Sequence, residues 1–186
     1  MNSKRIWLMI PGILFPYIVI AHLVLLFCSP DRMYEVFGPF AILYFFIPAA
    51  YLLVAFPLCV VSFICSIKNK WDSVSLAKTA MIIKLIHIPA YIAIFALSIG
   101  FVLSIWLIGA VFLMVFCDYV TLIMSSSLSI ASVVNAKKEN KLTFGNSVWL
   151  TVSQLIFCVD VVMAIVIYNR LRKTPAEESV LENIGE

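Results

Sequence analysis

Residues 81–134 read MIIKLIHIPAYIAIFALSIGFVLSIWLIGAVFLMVFCDYVTLIMSSSLSIASVV. As one helix this stretch would be about 80 Å long, against a hydrocarbon core of about 30 Å. As a loop it would leave a nearly unbroken apolar run in water. Two membrane-spanning helices satisfy both constraints if the chain turns back near Gly100, with Ser98 to Ser104 as a tight outer hairpin.

Working outward with the same rule of about 20 residues per crossing places spans at residues 7–28, 39–67, 79–98, 105–134 and 148–168. The expected fold class is therefore all-α, a polytopic membrane helix bundle of about five transmembrane helices. Residues 1–174 form one domain, and the acidic end, 175–186, is a short frayed helix or a disordered tail. Composition agrees: 63% of the 186 residues are hydrophobic and 12% charged, where a soluble domain runs at about 45–50% and 25%. The first apolar run, Ile6 to Cys28, exceeds the roughly 7–15 residues of a signal-peptide core, so it is expected to stay in the membrane. Trp7, Trp71, Trp106 and Trp149 each fall where a helix enters or leaves the bilayer, as interfacial indoles do. Asp72 or Ser73 can cap the third helix, and Asn146 or Ser147 the last. Cys28, Cys59, Cys65, Cys117 and Cys158 form no C-x-x-C pair and read as free thiols in apolar surroundings.

The net charge of +3 is carried by short basic clusters between apolar runs, which is a topology signal and not a nucleic-acid face. Lys4, Arg5, Lys68, Lys70, Lys78, Lys137, Lys138 and Lys141 fall on one side, so the amino terminus is expected in the cytoplasm. Arg170, Arg172 and Lys173 conflict with that scheme, because five crossings would put them outside.

Prolines crowd the first half: Pro11 and Pro16 in the first span, Pro39, Pro48 and Pro57 in the second, Pro89 in the third. Each interior proline removes one helical hydrogen bond, which in lipid a neighbour or water must replace. Static kinks that serve packing are one reading; hinges or an unwound substrate-binding stretch are the other.

Ionisable side chains inside spans are the candidate site, because each costs about 2.5–3.5 kcal/mol to insert at mid-helix. They are His22, Lys84, His87, Asp118 and Asp160. Counting from the interfacial anchors spreads them across the core, at about 6 Å (Lys84), 11 Å (His87), 14 Å (Asp118), 18 Å (Asp160) and 22 Å (His22) from the cytoplasmic side. Thr121, Ser125, Ser129 and Ser132 follow Asp118 at helical spacing and form a polar stripe suited to close helix packing. In one reading Lys84 snorkels to the headgroups while His87 pairs with Asp118 or Asp160 as helix glue. In the other, Asp118, Asp160 and His87 exchange protons along a path through the bundle. No cofactor is expected. His22 and His87 differ by about 10 Å in level, too much for shared haem ligation, and no metal-ligand spacing, P-loop or G-x-G-D context occurs.

Lys84-Leu-Ile-His-Ile-Pro89, Phe157-Cys-Val-Asp160 and the basic connection Lys137 to Lys141 resemble a group of small uncharacterised multi-pass membrane proteins of Gram-positive bacteria. The resemblance covers the last three helices and implies a bacterial plasma-membrane location without an activity. The expected function is that of an accessory or interaction protein, such as a transporter partner or resistance or immunity factor; the alternative is a small proton-coupled transporter or permease using the buried His and Asp residues. The expected partners are the lipid bilayer and either a second copy of the chain or another membrane protein, with no nucleic acid.

Overall fold

A computed structural model of the chain describes residues 7–28, 35, 38, 44, 46–69, 71–103 and 108–174. After a 3₁₀ turn at Trp7–Met9 come α1 (Ile10–Cys28), α2 (Ile47–Lys68), α3 (Ser73–Val102), α4 (Ile108–Lys138), α5 (Phe144–Ser153) and α6 (Val159–Lys173). The fold is an all-α helix bundle. Four of its helices, at Trp7–Leu26, Ile47–Lys68, Ser73–Val102 and Val111–Lys138, are long and apolar enough to cross a membrane. Their outward faces carry side chains such as Leu53, Phe95 and Phe112, each more than two-thirds exposed. Surface of this kind is unfavourable in water and suits lipid contact.

Helix limits follow from local chemistry. Asp72 caps α3 by accepting a hydrogen bond from the Ser75 N–H at 2.8 Å, so α3 starts at the expected cap, six residues before the span limit at Thr79. It also runs through Gly100 to Val102, which moves the turn beyond Ser98; residues 104–107, Trp106 among them, lie outside the described residues. Pro48 sits in the first turn of α2, where its missing N–H is harmless, so it starts a helix rather than kinking one. The expected start of that span at Pro39 lies outside the described residues. At the end of α4, Asn140 adopts a positive φ of 57°. The Lys141 N–H bonds the Ala136 carbonyl and the Asn140 N–H bonds that of Lys137, the Schellman pattern that closes a helix.

The segment expected as a fifth span, 148–168, divides in two. Residues 154–158 form turns between α5 and α6, and Cys158 holds φ at 66°. No glycine or proline marks this break, so hydropathy reads straight through it. Asn146 and Ser147 lie inside α5 rather than at its cap, which is Thr143.

Ile167 and Leu171 of α6 pack in one apolar cluster with Ala77 of α3, Val133 and Ala136 of α4, and Leu142. The carboxyl end of α6 therefore returns to the end of the bundle where α3 begins and α4 finishes. Asn135 ties that end together: its Nδ2 donates to the carbonyls of Ser66 at 3.0 Å and Trp71 at 2.8 Å.

Two side-chain bonds join α1 and α3 near their interior prolines. The Tyr17 hydroxyl of α1 donates to the Ile86 carbonyl of α3, and His87 of α3 donates through Nε2 to the Ile13 carbonyl of α1 at 3.2 Å. Ile13 and Ile86 each stand three residues before a proline, Pro16 and Pro89. The reciprocal pair ties the two helices together. Closer to the α1 start, Gly12 meets α2 with no room to spare: a Cβ there would lie 2.6 Å from Cys59 Sγ and 3.3 Å from Met124 Cε.

Candidate functional site

Lys84 of α3 and Asp160 of α6 form an ion pair at 2.6 Å, with neither side chain exposed. Lys84 Nζ also donates to Ser126 Oγ of α4 at 2.9 Å. Ser126 in turn donates to the Gln154 carbonyl at 2.7 Å. That carbonyl is free to accept because α5 stops at Ser153, so the break in the helix supplies the last acceptor of the chain. Asp160 lies in the first turn of α6, where the positive end of the helix dipole favours a carboxylate.

Three separate helices set the level of this site. Lys84 stands about 16 Å from the Ser73 end of α3, Ser126 about 18 Å from the Lys138 end of α4, and Asp160 about 20 Å from the Lys173 end of α6, at 1.5 Å per residue. All three distances are measured from the same end of the bundle, so the three groups stand within about 4 Å of one level along the helix axes. The sequence-based spread of about 12 Å between Lys84 and Asp160 collapses because the segment breaks before α6, so a count along one continuous helix from its start does not give the level of Asp160.

Around the pair lie further polar groups. The Tyr91 ring packs edge-on against Phe157, with centroids 5.1 Å apart, and is 6.1 Å from the His87 ring. The Tyr91 hydroxyl is within electrostatic reach of both Asp160 and Asp118. His87 Nδ1, Asp118 Oδ1, Asp160 Oδ1 and the side-chain amide of Gln154 are buried and have no hydrogen-bond partner among the described residues. Buried polar atoms without a partner are uncommon in folded proteins, and several of them gather here.

The expected site residues divide accordingly. Lys84, His87 and Asp160 come together, and Asp118 lies within electrostatic reach through Tyr91. Lys84 does not snorkel: its ammonium is fully buried on Asp160. His87 bonds Ile13 rather than an aspartate. His22 stands apart, nine residues and about 13 Å further along α1 than Ile13. Its ring stacks on Tyr44 with centroids 4.2 Å apart and lines an apolar cavity of about 250 Å³ with Phe15, Pro48, Leu52 and Met114. The stripe of Thr121, Ser125, Ser129 and Ser132 is buried. Thr121, Ser125 and Ser132 bond carbonyls of their own helix at Cys117, Leu122 and Ser129, the arrangement of small residues that lets helices pack closely. Ser126 and Gln154 were not singled out from the sequence. Ser126 is one of three consecutive serines and Gln154 precedes an unmarked break, so neither carries a signal of its own. Cys59, Cys65, Cys117 and Cys158 are free thiols. Among the described residues no group of three His, Cys, Asp or Glu side chains is placed to hold a metal ion.

A family model described as a family of unknown function, DUF6652, matches residues 58–173. The chain belongs to this family. The DUF6652 match runs from within α2 to the end of α6, so it contains Lys84, Ser126, Gln154 and Asp160 and leaves out α1 with His22. Comparison with curated proteins and with solved structures finds no match.

Proposed function

We propose that this membrane protein is a small proton-coupled permease of the bacterial plasma membrane, with its amino terminus in the cytoplasm, and that Lys84 and Asp160 are its coupling pair. One observation carries the reading: a fully buried ion pair sits at the break between two short helices, in the middle of a bundle. Discontinuous helices that present a polar backbone group to a charged site at mid-depth are the usual construction of secondary-transporter sites. Protonation of Asp160 removes the attraction that holds Lys84, and transfer of a Lys84 proton to Asp160 leaves two neutral groups. Either event loosens α6 from α3. His87 and Tyr91 lie beside the pair and offer donors and acceptors for the proton's passage.

A second reading, an accessory or interaction protein, draws on the closure of the same site. With both charges fully covered and bonded to each other, the pair also works as a fixed pin between helices.

Proton flux into proteoliposomes, followed with an internal pH dye, separates the two. The permease reading expects flux from the wild type, and its loss in D160N and in a K84M/D160L double variant that stays folded. A folded wild type with no flux above empty liposomes, or a double variant as active as the wild type, overturns it and leaves the accessory reading.

A further inference from the structure

The carboxyl-terminal helix pair has a shape that neither five crossings nor four account for. At 1.5 Å per residue, α5 is about 15 Å long and α6 about 22 Å, so neither spans a core of about 30 Å. Their connection carries exposed apolar side chains at Leu155, Ile156 and Phe157, while Gln154 and Asp160 on either side are fully buried. Non-helical backbone at membrane depth is tolerated where protein covers it, and here the Gln154 carbonyl is taken by Ser126 while the apolar side chains of the turn point outward. The packing of Ile167 and Leu171 against Ala77, Ala136 and Leu142 then returns α6 to its starting level.

That return concentrates charge. Lys68 at the end of α2, Lys78 in the second turn of α3, Lys138 at the end of α4, and Arg170, Arg172 and Lys173 at the end of α6 are all exposed. None has a carboxylate partner among the described residues. Both described carboxylates at this end are engaged: Asp72 caps Ser75, and Glu139 accepts from Lys141 at 2.7 Å and from the Ser73 hydroxyl at 2.6 Å. A cationic rim without carboxylate partners among the described residues, beside a lipid-facing bundle, is complementary to an anionic leaflet.

We propose that α5 and α6 form a re-entrant hairpin that dips to mid-bilayer and returns, placing Arg170, Arg172 and Lys173 on the same face as Lys68 and Lys138, where the joint rim holds anionic phospholipid headgroups. The arrangement removes the conflict between the basic end of α6 and the basic loops, since the chain then crosses an even number of times. It stands whether or not the Lys84–Asp160 pair carries protons.

Limited trypsin digestion of the full-length protein in right-side-out and in inverted membrane vesicles tests the hairpin. Cleavage after Lys173 and after Lys141 is expected in the same preparation and in neither case from the other side. Cleavage of the two sites from opposite sides means that α6 crosses, and the proposal fails. Native mass spectrometry of protein taken from bilayers of equal phosphatidylcholine and phosphatidylglycerol tests the rim. Retention of phosphatidylglycerol over phosphatidylcholine is expected, falling about fivefold for each charge removed in R170Q, R172Q and K173Q, with helix content unchanged by circular dichroism. Equal retention of the two lipids by the wild type, or an unchanged preference in the folded triple variant, overturns the headgroup assignment.

Discussion

Lys84 and Asp160 are seventy-six positions apart in the chain and 2.6 Å apart in space. Replacing one partner strands the other charge in an apolar interior, whereas replacing both with apolar groups removes the desolvation penalty along with the attraction. D160N is therefore expected to destabilise the protein by about 3–5 kcal/mol, and K84M/D160L to recover most of that loss. Thermal unfolding in one detergent decides it: a double variant less stable than D160N would show that the pair does not act as a unit.

Gly12 supplies the second prediction. The Cβ of G12A would meet Cys59 Sγ at 2.6 Å, and both atoms belong to packed helices with little freedom to part. Overpacking of this kind costs about 1–3 kcal/mol. C59A removes the opposing sulfur, so G12A/C59A should unfold at a higher temperature than G12A alone.

Cys158 holds a φ of 66° with ψ of −36°, near the strained geometry of a tight γ-turn, which side chains rarely adopt. Glycine enters this region freely. C158G is expected to stabilise the fold by about 1 kcal/mol, and C158V to destabilise it; equal melting temperatures for the two would show that the turn is unstrained.

Glu139 links the start of α3 to the loop after α4. Its partial burial acts to raise the carboxyl's pKa, but hydrogen bonds from Lys141 and Ser73 outweigh this and hold it below the usual glutamate value. A group lowered on folding contributes stability above its unfolded pKa and loses it as pH falls through the folded one. The wild type should therefore lose more stability than E139Q on going from about pH 6 to about pH 3. Parallel melting curves for the two across that range would contradict the assignment.

Asn135 donates to the carbonyl of Ser66 at the end of α2 and to that of Trp71 in the connection to α3. N135A removes both bonds, at about 0.5–1.5 kcal/mol each. Amide hydrogen exchange should quicken first around residues 69–73. Unchanged exchange there would show that the clamp is redundant.

How far the architecture could be read in advance depended on the length of the signal. Runs of twenty or more apolar residues declare α1 to α4 whatever their partners, because lipid leaves the backbone few alternatives to a helix. Asp72 as a cap was equally visible, being a local hydrogen bond between near neighbours. The division of the last segment was not, since Gln154 to Cys158 contain no residue that dislikes a helix. What opens the chain there is tertiary: Ser126 takes the freed carbonyl and Lys84 takes Asp160, and neither contact leaves a trace in local spacing. For the same reason Lys84 and Asp160 were both recognised as out of place in lipid, while their pairing was not.

The order in which the ribosome delivers these two charges has its own consequence. Lys84 is made first, and α3 must wait in the bilayer with an ammonium that lacks this counter-ion until α6 emerges. A chain truncated before Asp160 thus leaves an orphan cation among its membrane helices, where insertion costs about 2.5–3.5 kcal/mol at mid-helix.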